Sequence, residues 1–176
     1  YNITSGTSYA APHVSGAIAL LLEKNPDLTP HEVKSILVTT SNVITDQYGK
    51  EFEFDVGGAG RIDLKKAFNS KLVFDPPKLI FNLSEQKTSE EHEIKINSLE
   101  GIINIQKVEV SGVDNVEFNY EIKDSTLYIT SKLIENELGK FETRAFITNN
   151  DVMYQIPIIV RVNEASIVIL ETENKL

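Results

Sequence analysis

The hydrophobic positions of this chain follow two rhythms, and the change falls near residue 70. From Ala10 to Leu22 the sequence is Ala, Val, Ile and Leu, interrupted by Pro12, His13, Ser15 and Gly16. A helix apolar on all sides is a buried one, so this stretch predicts a buried helix ending near Glu23-Lys24, ahead of Asn25-Pro26. Pro12 fits if it lies in the first turn, where a missing N–H does little harm. A second helix has a clear start: Thr29 and Glu32 make a Thr-x-x-Glu capping box, and Pro30 takes the first helical position. Val33, Ile36 and Leu37 then follow at the spacing of an amphipathic face. From Ser41 to Val56 the period is lost, and Asp46, Tyr48, Gly49 and Lys50 suggest a surface excursion of hairpin type. Gly57-Gly58-Ala59-Gly60 closes it, and Asp63 can cap a last short helix carrying Leu64, Ala67 and Phe68.

After Ser70 the pattern alternates. Asp75-Pro76-Pro77 marks the boundary, since paired prolines interrupt regular pairing. Candidate strands follow at 78–82, 91–97, 104–111, 116–122, 126–130, 141–148 and 154–162. Phe118, Tyr120 and Ile122 share one face, as do Leu127 and Ile129, and Ile156, Ile158, Val160 and Val162. Lys123-Asp124-Ser125 and Asn149-Asn150-Asp151 supply hairpin turns. Seven short strands separated by turns predict an all-β antiparallel sandwich over 71–176, behind a helical unit over 1–70. Residues 166–170 read as an eighth strand or the start of a further domain.

The chemistry concentrates at the mouth of the first helix, where Thr7 and Ser8 sit. Unpaired N–H groups and the positive end of the helix dipole favour an anion there, as an oxyanion intermediate of acyl transfer requires. Taken alone, a serine at a helix start is more often a simple cap. The full string Gly6-Thr7-Ser8-Tyr9-Ala10-Ala11-Pro12-His13-Val14-Ser15-Gly16 resembles the nucleophile motif of the subtilisin-like serine proteases, the subtilases. The likeness continues through Ala17 to Leu22, through Asn25-Pro26-Asp27-Leu28-Thr29-Pro30, and to Gly58-Ala59-Gly60-Arg61-Ile62-Asp63, about the first seventy residues.

That resemblance implies that Ser8 is the catalytic nucleophile, with its own backbone N–H in the oxyanion hole. It implies an α/β C-terminal fragment of a subtilase catalytic domain. The family's triad runs Asp, His, Ser along the chain, so the Asp, the His and the oxyanion Asn are expected upstream, and the present chain alone is expected to be inactive. The upstream part of the same domain is thus the expected partner, and a peptide or protein the expected substrate. His13, five positions past Ser8, is expected to be a packed helix residue pointing away from it. His31 and His92 are expected to be solvated. Residues 71–176 resemble, in architecture only, the fibronectin type III-like modules that follow the catalytic domain in many secreted subtilases, which implies an extracellular or cell-surface location. The alternative is a non-enzymatic interaction or structural module from a degenerate subtilase.

Composition narrows this further. The 176 residues contain no Cys, which excludes a disulfide framework and a thiolate zinc site, and no cofactor or metal is expected. The formal net charge is −9, with eight acidic and six basic side chains in 1–70 against eighteen and eleven in 71–176. Such a balance argues against nucleic acid, and no apolar run is long enough to span a membrane. Carboxylates such as Glu90, Glu91, Glu93, Glu135 and Glu137 read as solvated strand edges and loops. Two glycosylation sequons, at Asn2 and Asn82, carry no weight as three-residue patterns. One physical expectation remains: an all-apolar helix cannot be covered by one amphipathic helix and two short strands, so 1–70 should fold only against a partner.

Overall fold

In a computed structural model, residues 5–101, 103–150 and 152–164 are described. The Asn2 sequon, Asp151 of the second hairpin turn and the 166–170 strand lie outside the described residues. The fold is mixed α/β, with four helices followed by two antiparallel-rich sheets and no barrel among the described residues.

Helix α1 spans Thr7–Lys24 and holds Pro12 inside its span. Helix α2, Pro30–Thr39, starts as the sequence predicts: the Thr29 side chain accepts from the Glu32 N–H, and the Glu32 carboxylate accepts from the Thr29 N–H at 2.8 Å. A one-turn helix α3, Phe54–Gly57, ends the excursion that follows, and its helical character was not evident from the sequence. Before it, Thr45 bridges Glu51 across a turn whose backbone N–H groups at Tyr48 and Lys50 donate to Asp46. Asp63 caps the short helix α4, Leu64–Phe68, by accepting from the Lys66 N–H.

The strands are β1 (Leu72–Asp75), β2 (Leu79–Leu83), β3 (Ser89–Ser98), β4 (Ile105–Val110), β5 (Val116–Lys123), β6 (Thr126–Leu133), β7 (Gly139–Asn149) and β8 (Val152–Val162). One sheet has the order β1-β3-β6-β5 and the other β2-β8-β7-β4. Two expectations are corrected here. The arrangement is not purely antiparallel, because β2 runs parallel to β8, with Leu79 opposite Ile158 and Leu83 opposite Val162. An eighth strand does exist among the described residues, but at Leu72–Asp75, ahead of the paired prolines. Leu72, Val73 and Phe74 are all buried, so no alternation reveals β1; a strand covered on both faces reads as a plain apolar run.

The two sheets share one core. Phe74, Ile94, Ile96, Leu127 and Ile129 come from one sheet, and Phe81, Ile147, Tyr154, Ile156 and Val160 from the other. A smaller core in the helical part joins Leu21, Leu28, Val33, Ile36 and Ala67, and to these β1 adds Val73. Strand β1 therefore serves both cores, Leu72 and Phe74 on one side and Val73 on the other. Ser35 of α2, itself buried, occupies the outer edge of β1. Its hydroxyl donates to the Phe74 carbonyl at 2.8 Å and accepts from the Phe74 N–H at 3.0 Å, replacing a missing neighbour strand.

The predicted burial of α1 is not found among the described residues. Of its eighteen residues only Ala17 and Leu21 are buried, and Leu20 is 44% exposed. Its apolar character is real, but one flank only packs on the rest of the chain.

Candidate functional site

Helix α1 begins at a glycine. Gly6 is the N-cap residue, at φ 153° and ψ 151°, a backbone region that L side chains rarely adopt, and no side chain caps the helix. The simple capping role for Thr7 or Ser8 is thereby removed. Ser8 is instead the second residue of the helix, with an exposed side chain. The N–H groups of Tyr9 and Ala10 turn back to the Gly6 carbonyl at 3.0 and 3.1 Å. Those of Thr7 and Ser8 precede the first intrahelical bond and find no acceptor among the described residues, so two donors and the positive helix end lie beside the Ser8 hydroxyl.

The three histidines are elsewhere engaged. His13 is exposed rather than packed, which corrects the expectation, and its Nδ1 donates to the Tyr9 carbonyl one turn back at 2.6 Å. That bond holds the imidazole on its own helix. His31 Nε2 lies 3.0 Å from Asp75 Oδ1, tying α2 to the end of β1. His92 is half-buried, its ring edge-on to Phe81 at 4.8 Å and its Nε2 3.6 Å from Glu90. His31 is exposed, as expected, whereas His92 is half-buried rather than solvated.

Perturbed carboxylates mark structural bonds instead of a second active group. Glu32 is held below the usual range by the Thr29 N–H and hydroxyl, and Asp63 by the Lys66 N–H. For Glu90, burial pushes the carboxyl up, but hydrogen bonds from Lys87 and the Asn82 N–H together outweigh it and leave it lowered. Among the described residues no group of three His, Cys, Asp or Glu side chains could hold a metal ion, and no helix is long and apolar enough to cross a membrane.

Beside α1 runs an apolar groove of about 500 Å³, between Val14, Ile18 and Leu22 on α1 and Val33 and Leu37 on α2. Its far wall is the segment from Ala59 to Ile62. Residues 1–71 match the sequence profile of the Subtilase family. That segment is similar to the subtilases.

The chain is 42% identical over 83 residues to subtilisin-like protease SBT1.4 of Arabidopsis thaliana, a match covering 43% of this chain and 11% of that protein. Against subtilisin-like protease SBT1.6 of the same plant, identity is 39% over 83 residues, with the same coverage. The chain spans about a tenth of the length of the curated relatives it matches. Among solved structures, the endo-fucoidan hydrolase MfFcnA9 of glycoside hydrolase family 107 overlaps 56% of this chain and 18% of its own, at 14% identity and a TM-score of 0.43, too slight a likeness to argue from.

Two residues that matter to how the subtilase segment is held were not flagged by the sequence. Arg144 on β7 and Gln155 on β8 are each 3% exposed and contact Ser41, Glu51 and Ala59 of that segment. Their signal was faint: each is a polar residue at an outward position of an alternating strand, where solvent is the default expectation.

Proposed function

We propose that the subtilase segment supplies Ser8 as the nucleophile of a subtilisin-like serine endopeptidase, acting on peptides or proteins outside the cell. Residues 1–70 form the C-terminal part of the catalytic domain, and residues 71–176 a fibronectin type III-like β-sandwich attached behind it. The observation that carries this reading is the placement of Ser8, exposed on the first turn of α1 at the N-terminal helix end, inside the segment that matches the family.

The reaction divides between this chain and the upstream part of the same domain. Ser8 Oγ attacks the scissile carbonyl carbon while its proton passes to a His of the upstream part, oriented by an upstream Asp. The carbonyl oxygen becomes an oxyanion, stabilised by the Ser8 N–H and the helix end. The same His then gives its proton to the departing amine as the C–N bond breaks, and a water repeats the sequence on the acyl-enzyme. The uncovered flank of α1 is where the upstream part packs.

Substituting Ser8→Ala in the intact protease tests this. Peptide hydrolysis should fall by about 10⁴-fold or more, the scale known for triad serines, with substrate binding retained. Unchanged hydrolysis would reject Ser8 as the nucleophile and favour an interaction module.

A further inference from the structure

Outside the Ser8 site, the most unusual chemistry lies where the sheets meet the subtilase segment. Arg144 and Gln155 sit diagonally on neighbouring strands, since Phe146 is the residue opposite Gln155 and Arg144 is opposite Pro157. They belong to the face turned away from the sheet core, whose other side carries Ala145, Ile147, Tyr154 and Ile156. A charged guanidinium at 3% exposure is tolerable only if its donors are used. Three of the five are: Nε donates to Glu51 at 3.1 Å, Nη1 donates to Gln155 Oε1 at 2.8 Å and to the Ala59 carbonyl at 3.1 Å, and the guanidinium lies 4.6 Å from the centre of the Phe54 ring.

The Ala59 carbonyl is the focus. It accepts from Arg144 Nη1, from Gln155 Nε2 at 2.8 Å and from the Ser41 hydroxyl at 3.1 Å. Three donors on one half-buried carbonyl exceed what a loop needs merely to satisfy its backbone, and they fix its position from three directions. The next residue allows no slack. Gly60 has φ +131°, and a Cβ there would stand 2.1 Å from the Asn42 carbonyl oxygen. Asn42 and Arg61 then exchange both backbone hydrogen bonds at 2.8 Å. Immediately beyond, Gly60, Ile62 and Leu64 line a cleft with Ala10 and Val14, on the half of α1 that carries Ser8.

We propose that Arg144 and Gln155 are positioning residues for the nucleophile helix. Through the Ala59 carbonyl they hold the segment 59–62, which faces Ala10 and Val14 across the cleft beside the first turns of α1. The hydrogen bonds run from β7 and β8 to Ala59 and the shared cleft carries the link on to α1, and the proposal rests on the reading of Ser8 as nucleophile. Removing a donor lets Ala59 shift, and a displacement of a fraction of an ångström at a reacting group lowers turnover more than substrate binding.

The test compares Arg144→Met, Gln155→Met and Ser41→Ala with a control, Val116→Ala, all in the intact protease and below the melting temperature. Arg144→Met keeps an unbranched apolar stem and removes the guanidinium donors, while the two neutral sites supply milder variants should it fail to fold. Val116 is a buried residue of β5, at the opposite edge of its sheet from β1. The junction variants are expected to lower kcat by about ten-fold with KM within about two-fold, and to speed amide exchange at residues 10–14 and 59–62. The control should lower the melting temperature and leave both readouts unchanged. Unaltered exchange in α1 in every junction variant, or an equal loss of kcat in the control, overturns the proposal. If the unsubstituted protease hydrolyses nothing while exchange still responds, the coupling stands and the endopeptidase reading fails.

Discussion

The helical region and the sheets contain similar apolar side chains but enclose them to very different degrees. In the sheets Phe74, Phe81, Ile94, Leu127, Ile147, Tyr154 and Ile158 are all excluded from solvent, and even the Tyr154 hydroxyl is used, accepting from the Lys71 N–H at 3.0 Å. In the helical region the longest helix leaves Leu20 and Val14 open to solvent, and Gly16 faces space in which a Cβ would meet nothing. Burial of apolar area is the main driving term for folding, so the sheets have what an independent domain needs and the helical region lacks part of it. An apolar helix and a buried helix are thus different things: the sequence specifies the surface, and the chain around it decides whether that surface is covered.

Separating the regions should break the comparison most strongly. Residues 71–164 alone are expected to unfold cooperatively in urea as a monomer, whereas residues 1–70 alone should show no cooperative transition or should self-associate in sedimentation. A sharp two-state melt from monomeric 1–70 would show that α1 needs no cover. Next in size are paired truncations. Phe81→Ala, in the sheet core, should lower stability by about 3–5 kcal/mol. Leu20→Ser should change the stability of this chain by no more than about 0.5 kcal/mol, as surface changes do. In the intact protease the same substitution should lower stability by about 1–3 kcal/mol if the upstream part packs there. Calorimetry on both forms distinguishes the cases.

The seam between the regions gives smaller effects. Ser35→Ala leaves two buried backbone groups of Phe74 without a partner and is expected to lower stability by about 1–3 kcal/mol, measured by urea unfolding. Thr29→Ala removes the α2 cap, for about 1 kcal/mol. Glu32 adds a pH signature. Because the folded protein holds its carboxyl below the ordinary value of 4.5, its contribution is complete above that value and is lost as pH falls through the depressed one. Stability of Glu32→Gln should therefore decline less between pH 4.5 and the acid limit than that of the unsubstituted chain, a difference that disappears if the capping bond does not form.

Local signals were legible where one short motif decides the outcome. The Thr29–Glu32 box, Pro30 and Asp63 each fixed a helix start, and Asp124 and Ser125 both take the positive φ that a tight hairpin turn demands. Alternation located seven strands to within a few residues. It failed for β1, which is buried on both faces, and it could not reveal the parallel pairing of β2 with β8, because register between distant strands leaves no mark on either alone. For β5 the face was read correctly but not its cover: Tyr120 pairs with Ile129 and Ile122 with Leu127 on the core side, yet both stay exposed because β5 is an edge strand. At the candidate site, the eleven-residue string singled out Ser8. Arg144 and Gln155 escaped notice, since a polar residue looks the same in sequence whether it meets water or a carbonyl of another segment.

Whether Ser8 is a nucleophile awaiting its partners is tested most directly by reaction with an active-site phosphonate, followed by mass mapping of the modified residue. The expected result is stoichiometric labelling of Ser8 when the upstream part is present and negligible labelling of this chain by itself, because the serine then has no base. Strong labelling of the chain alone, or none with the upstream part restored, would contradict it.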